Sequence, residues 1–378
     1  MSQQGSLASR LDVAIDAALT ENRLIGAVVL VARDGETLYR RAAGFFDREA
    51  GQPMREDAIF RLSSVTKPLV AAATMRLVER GAIALDQSVT RWLPEFRPKL
   101  GDNSCPEITL HQLLSHTSGL SYRFLEPEGS AYHRLAVSDG IDQPGLALDD
   151  NLHRLIQAPL AFAPGSSWRY SLGFDVLGKV LETAVRKPLP EIIHDEVTGP
   201  LGMVDTGFAV ADRSRLTAAY ANGDEIPCRM DGDVAVPLWE GAVRFSPDRV
   251  LDPASYASGG AGMAGTATDI LTFLEMIRTG GAPILKPDTV AAMMRDQVGP
   301  QAETQGPGWG FGYGWAVLVD PAAAATPQAK GTLQWGGVYG HNWFVDPANG
   351  LSIVILTNTA FEGMTGQLVT DVRDGVYG

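Results

Sequence analysis

The chain has 378 residues, of which 45% are apolar, and a formal net charge of −13 from 31 basic and 44 acidic residues. This length and composition can bury a large core, which excludes disorder as the dominant state. The acidic balance without a Lys/Arg cluster excludes nucleic acid and anionic membranes as expected partners.

The amino end, from Met1 to Leu24, is polar and amphipathic and lacks the basic start and apolar stretch of a secretory signal. No apolar run in the chain approaches the ~18–20 residues that a membrane-spanning helix needs. The two cysteines, Cys105 and Cys228, are far apart in sequence and are expected to be reduced thiols rather than a disulfide. These features predict a cytoplasmic protein.

The first predicted elements are a helix, a hairpin and a second helix. Residues 6–20 place apolar side chains at helical spacing. Two β-rich runs, Gly26–Arg33 and Glu36–Gly44, flank Asp34-Gly35, which is typical of a tight hairpin turn. Helical spacing returns from Ser64 to Arg80.

The remaining pattern predicts an α+β fold. Residues 85–243 alternate helical segments with Pro/Gly-rich loops, and residues 205–258 are expected to be loop. Late runs predict four strands and a closing helix: Gly314–Val319, Thr332–Trp335, Asn342–Val345, Leu351–Leu356 and Phe361–Tyr377. We therefore expect one antiparallel sheet flanked by helices, from residues 1–84 and 244–378, and a mostly helical inserted domain from residues 85–243.

The strongest local motif is Ser64-Val65-Thr66-Lys67. Residues three apart share one face of a helix, so the hydroxyl and the amine are neighbours. A serine nucleophile needs a group that takes its proton, and a lysine kept neutral by burial can be that group. The alternative is an ordinary N-cap serine with an exposed lysine. Helical spacing alone also leaves Ser63, four residues before Lys67, as a candidate.

Two further segments follow this motif along the chain. Tyr170-Ser171-Leu172 lies in the middle, and Trp335-Gly336-Gly337-Val338 lies on a predicted late strand. An S-x-x-K motif, a middle motif and a late strand motif, in this order, are the signature of serine β-lactamases and penicillin-binding proteins. The chain resembles that superfamily, and with Leu172 and Trp335 in these motifs it is most similar to the family VIII serine carboxylesterases. The resemblance implies the β-lactamase/transpeptidase-like fold.

The resemblance also implies roles for individual residues. Ser64 matches the nucleophile, and Lys67 matches the group that takes its proton or lowers the pKa of a neighbour. Tyr170 matches the phenol that protonates the leaving alcohol. The oxyanion hole of the family corresponds to the backbone N–H groups of Ser64 and Val338, donors of a kind that contribute about 3–4 kcal/mol each in acyl transfer.

Other matched residues concern the substrate. The resemblance places five residues at the substrate, Trp335, Gly336, Gly337, Tyr122 and Leu172, and two as supports, Asp175 and His341. Trp335 replaces a lysine that meets the carboxylate of a β-lactam, and Leu172 replaces an amide side chain. Both changes favour neutral esters. Four aromatic residues alternate with other residues late in the chain and are expected either to pack at the rim of a strand or to form the wall of an acyl pocket: Trp309, Phe311, Tyr313 and Trp315.

Several other chemistries are not expected. The chain has no G-x-S-x-G pentapeptide, which argues against an α/β-hydrolase. Gly260–Gly265 fits a dinucleotide motif by letter, but no predicted strand precedes it. The six histidines are scattered outside any H-E-x-x-H frame, so no metal and no cofactor are expected. His116 is expected to be a structural hydrogen-bonding residue.

The predicted function is hydrolysis of short-chain carboxylic esters through an acyl-enzyme on Ser64, with deacetylation of cephalosporin-type esters as a side activity that the resemblance implies. The alternatives on the same fold are a β-lactamase, a D-amino-acid peptidase or an acyltransferase. The alternative of another class is a non-catalytic penicillin-binding-like protein. The expected partner is a small-molecule ester.

Overall fold

The secondary structure follows the predicted order of elements. A computed structural model describes residues 6–223 and 226–378, so the first five residues of the amino end lie outside the described residues. The strands are β1 (Gly26–Arg33), β2 (Glu36–Asp47), β3 (Gln52–Pro53), β4 (Phe60–Arg61), β5 (Tyr220–Ala221), β6 (Cys228–Arg229), β7 (Val234–Leu238), β8 (Gly241–Phe245), β9 (Ala264–Gly265), β10 (Trp309–Phe311), β11 (Ala316–Leu318), β12 (Leu333–Gly337), β13 (His341–Asp346) and β14 (Leu351–Thr357). The α-helices are α1 (Leu7–Thr20), α2 (Thr66–Glu79), α3 (Leu110–Leu114), α4 (Ala131–Arg134), α5 (Leu148–Gln157), α6 (Gly173–Val185), α7 (Leu189–Ile193), α8 (Ala267–Arg278), α9 (Pro287–Met293), α10 (Glu362–Thr365) and α11 (Gln367–Tyr377).

One antiparallel sheet combines strands from both ends of the chain, which confirms the predicted α+β architecture. Its strand order is β10-β11-β12-β13-β14-β1-β2-β3. The β1–β2 hairpin turns at Asp34 and Gly35, which both have positive φ, as a tight hairpin turn requires.

Helices cover both faces of the sheet. In β1, Ala27, Val29 and Val31 belong to the core beneath α1 and α11, whereas Val28 and Leu30 belong to the larger core that includes α2 and α8. Successive side chains of a strand point to opposite faces. Because both faces are buried, β1 is a continuous apolar run rather than an alternating one.

The structure differs from the predictions in two segments. Residues 205–258 were expected to be loop, but they contain the hairpin of β7 and β8. The prediction was wrong because the turn residues of this hairpin, Trp239-Glu240, carry no Gly or Asn signal. The predicted closing helix is two helices, α10 and α11, because the chain is extended at Gly366 between them.

The domain boundaries stay a prediction, although the predicted boundary between residues 243 and 244 falls inside β8. Cys105 and Cys228 are both exposed and free, which confirms the prediction of unpaired thiols. Across the described ranges, no helix has the length and apolar character needed to traverse a lipid bilayer.

Candidate active site

Ser64 lies in a single 3-10 turn, Ser63–Val65, that leads directly into α2. The Val65 N–H closes this turn on the Leu62 carbonyl at 3.1 Å. The Ser64 N–H therefore precedes the first hydrogen bond of the turn, where a helix leaves its donors without internal partners. The tight turn presents both the hydroxyl and the N–H of one residue at the start of a buried helix.

The backbone distinguishes Ser63 from Ser64. Ser63 has a φ of +43°, a left-handed conformation that is costly for a residue other than glycine. Its hydroxyl is buried without a partner among the described residues, on the side of Gly337. The Ser64 hydroxyl instead contacts Lys67. Of the two serines that helical spacing left open, only Ser64 reaches the amine.

Two of the predicted side chains, Lys67 and Tyr170, contact Ser64 Oγ. Lys67 Nζ lies 3.1 Å from it and also donates a hydrogen bond of 2.8 Å to the Gly260 carbonyl. The Tyr170 hydroxyl lies 2.6 Å from Ser64 Oγ on another side. The Trp335 indole N–H donates to that same hydroxyl at 3.4 Å. The structure thus brings an amine and a phenol into contact with the same hydroxyl.

Burial decides the protonation of these groups. Lys67 is fully buried, and burial lowers its pKa to about 7, while the charge of Asp175 acts in the opposite direction. Burial raises the pKa of Tyr170 above its usual value, and the hydrogen bond with Ser64 only partly offsets this. A neutral amine is therefore accessible near neutral pH, while the phenol keeps its proton. This combination favours Lys67 as the base and Tyr170 as a proton donor.

The end of β12 lies against the turn that carries Ser64. A Cβ at Gly337 would stand only 2.7 Å from the Leu62 carbonyl oxygen, so glycine is needed for this close approach. Strand β11 pairs with β12 only at Leu333 and Gln334, which leaves the edge from residue 335 onward open. Val338 follows directly, so its N–H and that of Ser64 are available on neighbouring segments for a carbonyl oxygen.

A cavity of about 530 Å³ opens beside Ser64. Apolar and aromatic side chains form most of its wall, together with several polar groups. Its lining residues are Ser64, Phe124, Leu125, Trp168, Arg169, Tyr170, Leu238, Trp239, Thr304, Gln305, Gly306, Trp335, Gly336, Val338, Asn342, Met364 and Thr365.

Trp335 and Gly336 line this cavity at the strand edge. The Trp335 ring packs edge-on against Phe311, with 5.2 Å between centroids. Phe311, Trp309, Tyr313 and Trp315 are buried and do not line the cavity, so the alternative of a packed strand rim is the one that the structure supports.

Three residues predicted at the substrate do not line the cavity. Tyr122 is buried behind Tyr170, with ring centroids 4.9 Å apart. Leu172 is fully buried at the start of α6, because the chain turns into the core directly after Tyr170. Gly337 faces the Ser63 turn instead. Tyr122 and Leu172 act through packing, and Gly337 through the close approach that it allows.

Two residues, Asp175 and His341, were predicted to support the catalytic residues, and only Asp175 lies near them. Asp175 is buried near Lys67, and burial raises its pKa to about 6, while the charge of Lys67 acts in the opposite direction. His341 uses both ring nitrogens elsewhere: one pairs with the Arg61 carbonyl at 2.8 Å and the other accepts from the Thr357 N–H at 3.3 Å. His341 therefore joins β13 to neighbouring segments and does not reach the substrate space.

His116 is fully buried and contacts the Ser171 hydroxyl at 3.2 Å. Its ring also packs against Tyr170, with 4.7 Å between centroids. These contacts are the structural hydrogen bonding predicted for it. Within residues 6–223 and 226–378, no group of three His, Cys, Asp or Glu side chains converges as a metal site would require.

Some site residues were missed at the sequence level. Gly260 accepts from Lys67, and a Cβ there would lie 2.9 Å from both Asp175 Oδ2 and the Tyr122 hydroxyl, so this position also needs glycine. The glycine-rich run around it was the available signal. Trp239 carried no signal, because it lies in the hairpin that was predicted as loop.

Comparisons with known proteins agree with this geometry. The beta-lactamase family profile matches residues 11–375. Esterase EstB of Burkholderia gladioli is 60% identical over 98% of this chain and 95% of its own length. The solved structure of "EstCE1, a hydrolase with promiscuous acyltransferase activity" is 48% identical, covers 99% of both chains and has a TM-score of 0.97. Simvastatin synthase (LovD) from Aspergillus terreus, unliganded, is 22% identical with a TM-score of 0.78, covers 99% of this chain and 98% of its own, and shows likeness of fold alone.

Proposed function

This chain belongs to the beta-lactamase family, and we propose that it is a serine carboxylesterase that hydrolyses neutral short-chain carboxylic esters through an acyl-enzyme on Ser64. The resemblance to the family VIII esterases is confirmed at the level of the family and of the fold. The roles of individual residues and a cytoplasmic location are part of the proposal.

The chemical steps follow from the contacts at Ser64. Its Oγ attacks the ester carbonyl carbon while its proton passes to the neutral Lys67 amine, 3.1 Å away. The carbonyl oxygen becomes an oxyanion that accepts from the Ser64 and Val338 N–H groups. The C–O bond to the alcohol then breaks as Tyr170 gives its proton to the leaving oxygen. The proton held by Lys67 passes to Tyr170, which restores the neutral amine and the phenol for the second half of the cycle. Water repeats the cycle on the acyl-enzyme and releases the acid.

The observation that carries the proposal is the meeting of amine, phenol and hydroxyl beside a mainly apolar cavity. Arg169 is the one cationic side chain among the residues that line it. The guanidinium is already paired with Glu126 at 2.9 Å and donates to the Ser121 hydroxyl at 2.9 Å. A carboxylate on the substrate would therefore find no unpaired cation, which favours neutral esters over β-lactams.

Purified enzyme is expected to hydrolyse p-nitrophenyl butanoate much faster than it opens the lactam ring of a chromogenic cephalosporin. The reason is the missing unpaired cation for the lactam carboxylate. Initial rates at matched concentrations measure the ratio, and a series of acyl chain lengths maps the preferred acid. Faster ring opening would contradict the proposal and favour a β-lactamase. An enzyme that is inactive toward every ester would favour the non-catalytic alternative.

An acyltransferase is the second candidate on the same site. The mainly apolar cavity of about 530 Å³ has room for an alcohol as well as an acyl group. An alcohol bound there would attack the acyl-enzyme in place of water, with the same proton transfers. Product analysis with an added alcohol measures how the acyl group divides between the two acceptors.

The rate of hydrolysis is expected to fall below pH 7. Protonated Lys67 has no lone pair to take the serine proton, and its pKa is lowered to about 7 by burial. We therefore expect log kcat/KM to rise with pH, with a slope approaching one, until Lys67 is neutral and then to level off. A pH profile of kcat/KM measured with a neutral ester tests this. A flat profile between pH 5 and pH 8 would contradict a role of Lys67 as base.

A further inference from the structure

One polar side chain in the cavity wall has no hydrogen-bond partner for its oxygen. Asn342 lies on β13 directly opposite Gly336 of β12 and lines the cavity. The residue is only 2% exposed. Its Oδ1 is buried without a partner among the described residues. An amide is thus present in a mainly apolar wall with its hydrogen-bonding capacity unused.

Such an arrangement is costly unless a ligand completes it. Buried polar side-chain atoms are hydrogen-bonded in the large majority of cases, and a buried group left unpaired costs about 1–3 kcal/mol. A valine or leucine would fill this position on β13 without that cost. The amide is therefore better explained by a bound molecule than by packing.

Glycine at position 336 keeps the amide accessible from the cavity. Asn342 Nδ2 lies 3.7 Å from the place where a Cβ of residue 336 would stand. A side chain there would also meet the His341 carbonyl oxygen at 2.5 Å and Met364 Cγ at 3.2 Å. The missing side chain leaves room for a substrate atom between the strand edge and the amide.

We propose that Asn342 determines specificity by hydrogen-bonding a second oxygen group, a ketone or hydroxyl, that the ester carries beyond its scissile bond. This inference rests on the proposed esterase function and names a substrate class within it. The unpaired Oδ1 can accept from a hydroxyl, whereas Nδ2, which lies next to the space at Gly336, can donate to a ketone oxygen. Met364 and Val338 flank the same wall, so the rest of the substrate is expected to be apolar.

The second oxygen can belong to the acyl part or to the alcohol part of the ester, and two pairs of substrates separate these cases. The acyl pair is p-nitrophenyl 4-oxopentanoate and p-nitrophenyl 4-methylpentanoate. The alcohol pair is 4-acetylphenyl butanoate and 4-isopropylphenyl butanoate. Within each pair a carbonyl oxygen replaces a methyl group of similar size. Comparing each variant with the unmodified enzyme cancels the intrinsic reactivity of each ester.

In one of the two pairs, Asn342→Leu is expected to lower kcat/KM for the keto ester relative to its alkyl partner by about 3- to 10-fold, the effect of one net hydrogen bond. The loss is expected mainly in KM, because the contact is made to the bound substrate. Ser352→Ala, which removes from β14, away from the cavity, a buried hydroxyl that has no partner among the described residues, is the matched control and is expected to leave both ratios unchanged. The thermal midpoint of Asn342→Leu is expected to be no lower than that of the unmodified protein.

The isosteric Asn342→Asp variant provides a second test if the leucine variant does not fold. An ionised carboxylate lacks the N–H donors. The kcat/KM for the keto ester is therefore again expected to fall relative to that for its alkyl partner. Unchanged ratios in both pairs would overturn the role of Asn342, even if all four esters are hydrolysed. Failure of the unmodified enzyme to hydrolyse any of them would instead reject the proposed function.

Discussion

Replacing Ser64 with alanine is expected to lower kcat for p-nitrophenyl butanoate by about 10⁴-fold or more, because loss of a nucleophile removes the acyl-enzyme route. The thermal midpoint is expected to change little. The Ser64 side chain caps no helix, since α2 has no side-chain cap, and its contacts are with Lys67 and Tyr170. Steady-state kinetics and thermal unfolding of the purified variant measure both quantities.

A fluorophosphonate probe tests the same assignment directly. It is expected to add its mass to Ser64 in the unmodified protein and to leave the alanine variant unlabelled. Ser63→Ala is the matched control, because the Ser63 hydroxyl has no partner within the described residues and does not reach the amine. That variant is expected to be labelled. Labelling at Ser63, or unfolding of Ser64→Ala, would mean that Ser64 is a structural residue.

Lys67→Met is expected to lower kcat/KM by about 10²- to 10⁴-fold, the usual contribution of a positioned acid or base. Methionine has a similar length and suits a fully buried position, which the ammonium form of lysine does not. We therefore expect the variant to be at least as stable as the unmodified protein. Kinetics at pH 8 and denaturant unfolding measure the two effects.

The Tyr170→Phe variant distinguishes the contribution of the Tyr170 phenol from that of Lys67 as the base. It removes the hydroxyl that lies 2.6 Å from Ser64 Oγ but keeps the aromatic ring. The variant is expected to lose activity. Its kcat/KM is still expected to fall below pH 7, because Lys67 still titrates. In Lys67→Met, the kcat/KM of the residual activity is not expected to fall below pH 7. If Lys67→Met showed an unchanged fall of kcat/KM below pH 7, another group would be the base, and Asp175, which is buried near Lys67, would be a candidate.

The sequence by itself predicted the architecture and, through the family resemblance, the three chemical groups at the candidate site. Local patterns decide these features: alternating or continuous apolar runs for β1 and β2, helical spacing for α1 and α2, and a glycine turn at Asp34-Gly35. The S-x-x-K spacing also predicted a serine beside Lys67 before any contact was known, because residues three or four apart on one helix are neighbours, although it left Ser63 open as well as Ser64.

The tertiary structure alone decided which predicted residues reach the substrate and which other residues join them. Leu172 follows Tyr170 by two positions, yet the turn into α6 buries it in the core. Gly260 and Asn342 are distant in sequence from Lys67 and Ser64, and no periodicity predicts that they meet. Contacts of this kind depend on how separate segments pack, and the protonation of Lys67 depends in turn on the burial that this packing produces.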